Sequence, residues 1–144
     1  DVIVPYDVAR VPEALEEYHA TVRALWDAKN RLLDAGVPVE QVLYLLPNSH
    51  HVRFYETGTL LTYFWKWVKR LCYDAQREIF ETARQETEQV KQVLPEIGRY
   101  VARPPCMLRH EAGTRPFCPE GERYCGIPVW RNYDFARIAE RRVL

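Results

Sequence analysis

Toward the C-terminal end, the stretch CMLRHEAGTRPFCPEGERYCG brings Cys106, His110, Cys118 and Cys125 close together in sequence. Thiolate and imidazole are the preferred ligands of zinc, which takes four of them in a tetrahedron. A Cys3His metal set is therefore expected here, inside a Cys/Pro/Gly-rich module over residues 104–128. Gly113, Pro116, Pro119 and Gly121 suit a loop-like chain that doubles back around an ion. The spacing differs from paired Cys-x-x-Cys, and two other readings stand beside it. One is a single disulfide with a free thiol; the other is three half-buried thiols acting as small hydrophobes. No secretory signal is recognisable, so reduced thiols and a metal are favoured over a disulfide. Cys72, the fourth cysteine, falls within a helical pattern and receives no role.

A second group with chemical potential is the basic stripe Lys66, Lys69 and Arg70, spaced by three and four on one helical face. Arg70 is suited to bidentate contact with a phosphate or a carbonyl edge. The competing reading is a solvated face paired with Asp74 and Glu78. His50 and His51 are neighbours on an expected strand, so their side chains diverge and cannot share one site. His19 is expected at the surface. Glycine-rich phosphate loops, Gly-x-Ser-x-Gly and His-Glu-x-x-His are all missing, and no catalytic residue is assigned.

The elements that must position these groups are mostly helical. Pro12 opens a helix in which Leu15, Tyr18, Val22, Leu25, Trp26, Leu32 and Leu33 form one apolar face, and Gly36 and Pro38 end it. A short helix is expected over Val39 to Leu46. Val52 and Phe54 then alternate with Arg53 and Tyr55, the period of a strand ending at Gly58. From Thr59 a segment apolar nearly all round predicts a mostly buried helix. A long helix follows over Asp74 to Val93, with Ile79, Phe80, Ala83, Val90 and Leu94 facing the core and Arg77, Glu81, Arg84, Glu88 and Lys91 facing water. PEIGRYVA reads as one more short helix, and DFARIAERRVL at the end also reads as helical. The fold class expected is α+β: mainly helical, with helices packed on a small antiparallel sheet.

Length and charge narrow the function. A chain of 144 residues is expected to form a single domain with one real core. Its 28% charged and 47% hydrophobic residues match a soluble globular protein, and a cytoplasmic location is expected. Lys+Arg and Asp+Glu both number 20, so no overall field draws it to nucleic acid or to an anionic membrane. No apolar run approaches the roughly 20 residues that a bilayer requires. The chain opens at Asp1 without Met, which suggests a fragment or a processed form.

Three stretches together resemble the flavin-dependent thymidylate synthases (ThyX). EEYHATVRALWDAKNRLLDAGVPVEQVLYLLP looks like the family's long helix, its Ala-Gly-Val-Pro turn and the short helix ending in Leu-Pro. VRFYETGTLLTYFWKWVKRL is similar to its strand and following helix, and RLCYDAQREI to its Arg-x-x-x-His-Ala-Gln-x-Glu-Ile run. The tail PPC…CPEG…CG is similar to the ends of some relatives. The resemblance implies a ThyX-like fold, FAD as cofactor, dUMP as substrate, conversion to dTMP with methylenetetrahydrofolate, and homotetramers whose sites are shared between protomers. It assigns Arg70 to substrate contact, and Ala75, Gln76, Glu78 and Ile79 to mostly structural roles. The family's Arg-His-Arg…Ser…Arg signature, N-terminal to the matched region, is not in this sequence. Where the family has an arginine before Leu-Pro, this chain has Leu43. Thr59 and Leu61 replace a flavin-contacting Asn-x-Arg, Trp65 a further Asn, and Asp74 the histidine before Ala-Gln. The expectation is a family domain that keeps fold and assembly surfaces without catalysing alone. It would serve as a scaffold, a homo-oligomer or a partner to an intact ThyX domain. The alternatives are a segment that completes a shared site with an N-terminal part, and a zinc-stabilised module that binds a dUMP-like nucleotide.

Overall fold

The computed structural model describes residues 2–131, which divide between two compact units, Asp1–Glu56 and Thr57–Leu144. The helix expected over DFARIAERRVL lies outside the described residues.

The first unit is organised by a 23-residue helix. A short helix α1 (Tyr6–Ala9) leads into α2 (Pro12–Asp34), which starts with Pro12 in its first turn, where a missing N–H leaves nothing unsatisfied. Its end is a Schellman motif: Val37 N–H donates to the Leu32 carbonyl and Gly36 N–H to that of Leu33. Gly36 has φ 80°, a backbone state that a Cβ would strain. The short element after Pro38 is split into α3 (Val39–Val42) and a 3-10 turn (Leu43–Leu45). Val22 and Val42 are buried. The Tyr18 hydroxyl reaches Ser49 Oγ at 2.6 Å and the Ile3 carbonyl at 3.2 Å, holding the N-terminal segment beside residues 49–50. His50 there sets its ring edge-on to Trp26, with centroids 5.6 Å apart, and His51 is exposed.

The expected antiparallel sheet is absent among the described residues, and the fold class is corrected to mainly helical. What remains of it is one isolated antiparallel bridge between Val2 and His50. Residues 51–58 are irregular and exposed. A strand must pair its backbone groups and bury one face. Here Val52 is 63% exposed and Phe54 66%, so the alternating pattern has no core to face.

The second unit packs α4 (Leu60–Arg70), α5 (Arg77–Val93), α6 (Pro95–Val101) and α7 (Pro105–Glu111) around Trp67, Leu71, Tyr73, Phe80, Ala83, Val101 and Val129. Thr59 caps α4, its Oγ1 accepting from Thr62 N–H at 3.2 Å. The helix is amphipathic rather than buried all round: Trp67 and Val68 are buried, while Leu61 and Trp65 are 65% and 55% exposed. Pro95 separates α5 from α6, and the two helices meet where Gly98 approaches the backbone of Lys91. On α5, Phe80 and Ala83 enter the core as their spacing predicts, whereas Ile79 and, just beyond its end, Leu94 are exposed.

Candidate functional site

The connection between α4 and α5 carries the Arg70–Phe80 stretch. Arg70 closes the last turn of α4 and is exposed, and among the described residues its side chain has no ion-pair partner. Lys69 is also exposed. Lys66 is not a free third member of the stripe: its Nζ lies 3.1 Å from the Glu86 carboxylate. The Oε2 of that carboxylate also accepts from Trp67 Nε1 at 2.6 Å, and Tyr63 stacks on Trp67 with centroids 5.3 Å apart. The acidic partner of Lys66 is thus neither Asp74 nor Glu78 but Glu86, farther along α5. Sequence spacing along α4 gives no sign of Glu86, because the contact depends on how two helices cross.

The positions that departed from the family pattern have other occupations. Thr59 spends its hydroxyl on the N-cap, and also lies 3.0 Å from the Thr62 hydroxyl. Leu61 and Trp65, one turn apart, occupy the exposed face of α4. Leu43 is exposed in its own unit, and Asp74 is exposed in the α4–α5 connection. The retained Gln76 donates from Nε2 to Glu78 at 3.0 Å across the start of α5.

The four residues expected to hold a metal do not come together as a set. Cys106 sits in the first turn of α7, a helix where a loop-like chain was expected, and His110 in its last turn is exposed with its ring edge-on to Phe117. Cys118 and Cys125 meet Cys106, and the fourth wall is Cys72, from the α4–α5 connection. All four are free thiols lining one cavity of about 10 Å³. Among the described residues, no three or more His, Cys, Asp or Glu side chains are placed so that they could hold a metal ion. Burial, followed by the proximity of Cys72, Cys118 and Cys125, pushes the Cys106 thiol up to about 12. Burial also raises Cys72 and Cys125. Cys72 was the residue that sequence reasoning missed, since nothing in its spacing ties it to the other three.

A larger, open cavity of about 410 Å³ lies against α4 and α7. Phe64, Trp65, Val68 and Leu108 give it apolar walls, with Arg109 and Thr114 as polar members. The Arg109 Nε is engaged by the Pro116 carbonyl at 2.7 Å. No helix among the described residues is long and apolar enough to cross a membrane.

A family model described as thymidylate synthase complementing protein matches residues 1–96, two-thirds of the chain. The chain belongs to this family. The chain is also similar to proteins named flavin-dependent thymidylate synthase. That of Geobacter sulfurreducens is 32% identical over 124 residues, 86% of this chain and 50% of that protein. That of Saccharolobus solfataricus is 29% identical over 140 residues, covering 97% and 51%. That of Sulfurisphaera tokodaii is 38% identical over 81 residues, covering 56% and 31%. The chain spans about half the length of the first two. No solved structure matches it. Residues 1–96 contain Arg70 and Cys72, while Cys106, Cys118 and Cys125 lie beyond the family-model match.

Proposed function

We propose that this chain is a flavin-dependent thymidylate synthase family domain that does not convert dUMP to dTMP by itself. In this reading it acts as a structural partner, either to another copy or to a family chain that carries the full set of flavin-contacting groups. The observation that supports it most directly is the exposed face of α4. There Leu61 and Trp65 stand at positions that the family resemblance matches with polar flavin contacts, and both are open to solvent. Neither residue supplies a charge, and Thr59 has its hydroxyl on the helix cap. Each missing charge-assisted hydrogen bond is worth about 1.5–3 kcal/mol. Losing several weakens cofactor binding by orders of magnitude. An exposed apolar face of this kind is instead suited to burial against protein. Arg70, without an acidic partner among the described residues, remains suited to a nucleotide phosphate.

The test is titration of the purified chain with FAD, followed by flavin fluorescence, and with dUMP, followed by calorimetry. The expected outcome is colourless protein, no saturable FAD binding and no thymidylate formation from methylenetetrahydrofolate. Protein that purifies yellow, binds FAD stoichiometrically and turns over dUMP would overturn the proposal in favour of a complete enzyme segment.

A further inference from the structure

We propose that Cys72, Cys106, Cys118 and Cys125 form a tetrathiolate site for one divalent metal ion of the zinc class, tying the α4–α5 connection to the C-terminal module. The inference is independent of whether the chain binds flavin.

All four cysteines of the chain converge on one small cavity, although they come from widely separated points in the sequence. Cys72 follows the buried end of α4 at Leu71, Cys106 rides on α7, and Cys118 and Cys125 lie on either side of the 3-10 turn Gly121–Arg123. Thiols that serve only as small hydrophobes have no reason to meet in this way, and ordinary core packing leaves few voids. The void they surround, about 10 Å³, is the size of a single bound water. Buried Val129 forms part of its wall. Four thiolates in a tetrahedron are a complete structural zinc set.

The surroundings favour a cation. Glu120 lines the same cavity, and its charge and that of Asp74 both act on Cys72. Binding breaks four S–H bonds and forms four metal–sulfur bonds. The four protons pass to solvent, and the divalent ion and four thiolates together carry a charge of minus two, with no change in oxidation state.

The full 144-residue chain is expressed in zinc-supplemented medium and its metal content measured, and the reduced, metal-free chain is then titrated with cobalt(II). The expected result is one zinc per chain and a cobalt spectrum with the thiolate charge-transfer and d–d bands of a tetrahedral four-sulfur site. Cys72→Ser should abolish binding or change that spectrum, and His110→Ala should leave stoichiometry and spectrum as they were. The His110 variant and the cobalt spectrum decide the matter even if Cys72→Ser fails to fold. Reduced chain that takes up no metal overturns the proposal. So does a cobalt spectrum altered by His110→Ala and untouched by Cys72→Ser, which is the signature of a Cys3His site instead.

Discussion

Glu86 is the side chain on which two groups of α4 depend. One carboxylate oxygen accepts from the indole of buried Trp67, and the carboxylate also lies beside Lys66. Removing it strands a buried N–H, whose desolvation is then uncompensated. Glu86→Ala is therefore expected to lower unfolding free energy by about 2 kcal/mol in a denaturant titration. Glu86→Gln, which keeps a carbonyl oxygen for the indole, should lose clearly less. Equal losses for the two variants would show that the Lys66 ion pair, and not the indole, carries the effect. At this scale the sequence was legible wherever a residue's role is local. Pro12 opens a helix and Gly36 closes one, because both act through their own backbone. Glu86 and Cys72 were not legible, because each acquires its role from a partner on another element.

Among the elements, α5 and α6 are fixed by their closest approach. A Cβ on Gly98 would lie 2.5 Å from Lys91 Cα, a distance at which backbone must move. Gly98→Ala should thus destabilise the second unit by about 1–3 kcal/mol despite alanine's better helix propensity, as read by thermal unfolding. An unchanged melting temperature would mean that the two helices can separate at no cost. The long helices were readable from their three-and-four spacing, since that period follows directly from helix geometry. The strand at residues 52–58 was misread for the complementary reason. A period of two is only half of a strand; the other half is a neighbour, and a single stretch of sequence cannot show that none is present. Ile79 and Leu94 were assigned to the core by the same pattern and are exposed, so periodicity located the faces of these helices but not the edges of the core.

At the scale of the whole molecule, large apolar side chains remain open to water in both units, among them Tyr44, Phe54, Tyr55, Leu61, Trp65 and Val93. Singly exposed apolar residues are ordinary, but Leu61 and Trp65 stand one turn apart on α4 and suit burial against a partner. If the face of α4 serves assembly, the chain should associate with increasing concentration in sedimentation velocity. Leu61→Glu with Trp65→Glu should return it to monomer while the far-ultraviolet circular dichroism stays as it was. A chain that sediments as a monomer throughout would remove self-assembly, leaving a heterologous family partner. The family was legible from sequence because it is carried by a run of matched residues; the arrangement of the cysteines was not, because it exists only once the second unit has folded. The cap at Thr59 also bears on how the chain could be re-engineered. Asparagine ranks beside serine and aspartate as a helix-capping residue, so the family's Asn at that position would start α4 as well as threonine does. Nor does an arginine on the solvent side in place of Leu61 displace any core atom. Folding therefore sets no obstacle to placing those polar groups on α4, and the architecture alone does not dictate Thr59 and Leu61 there.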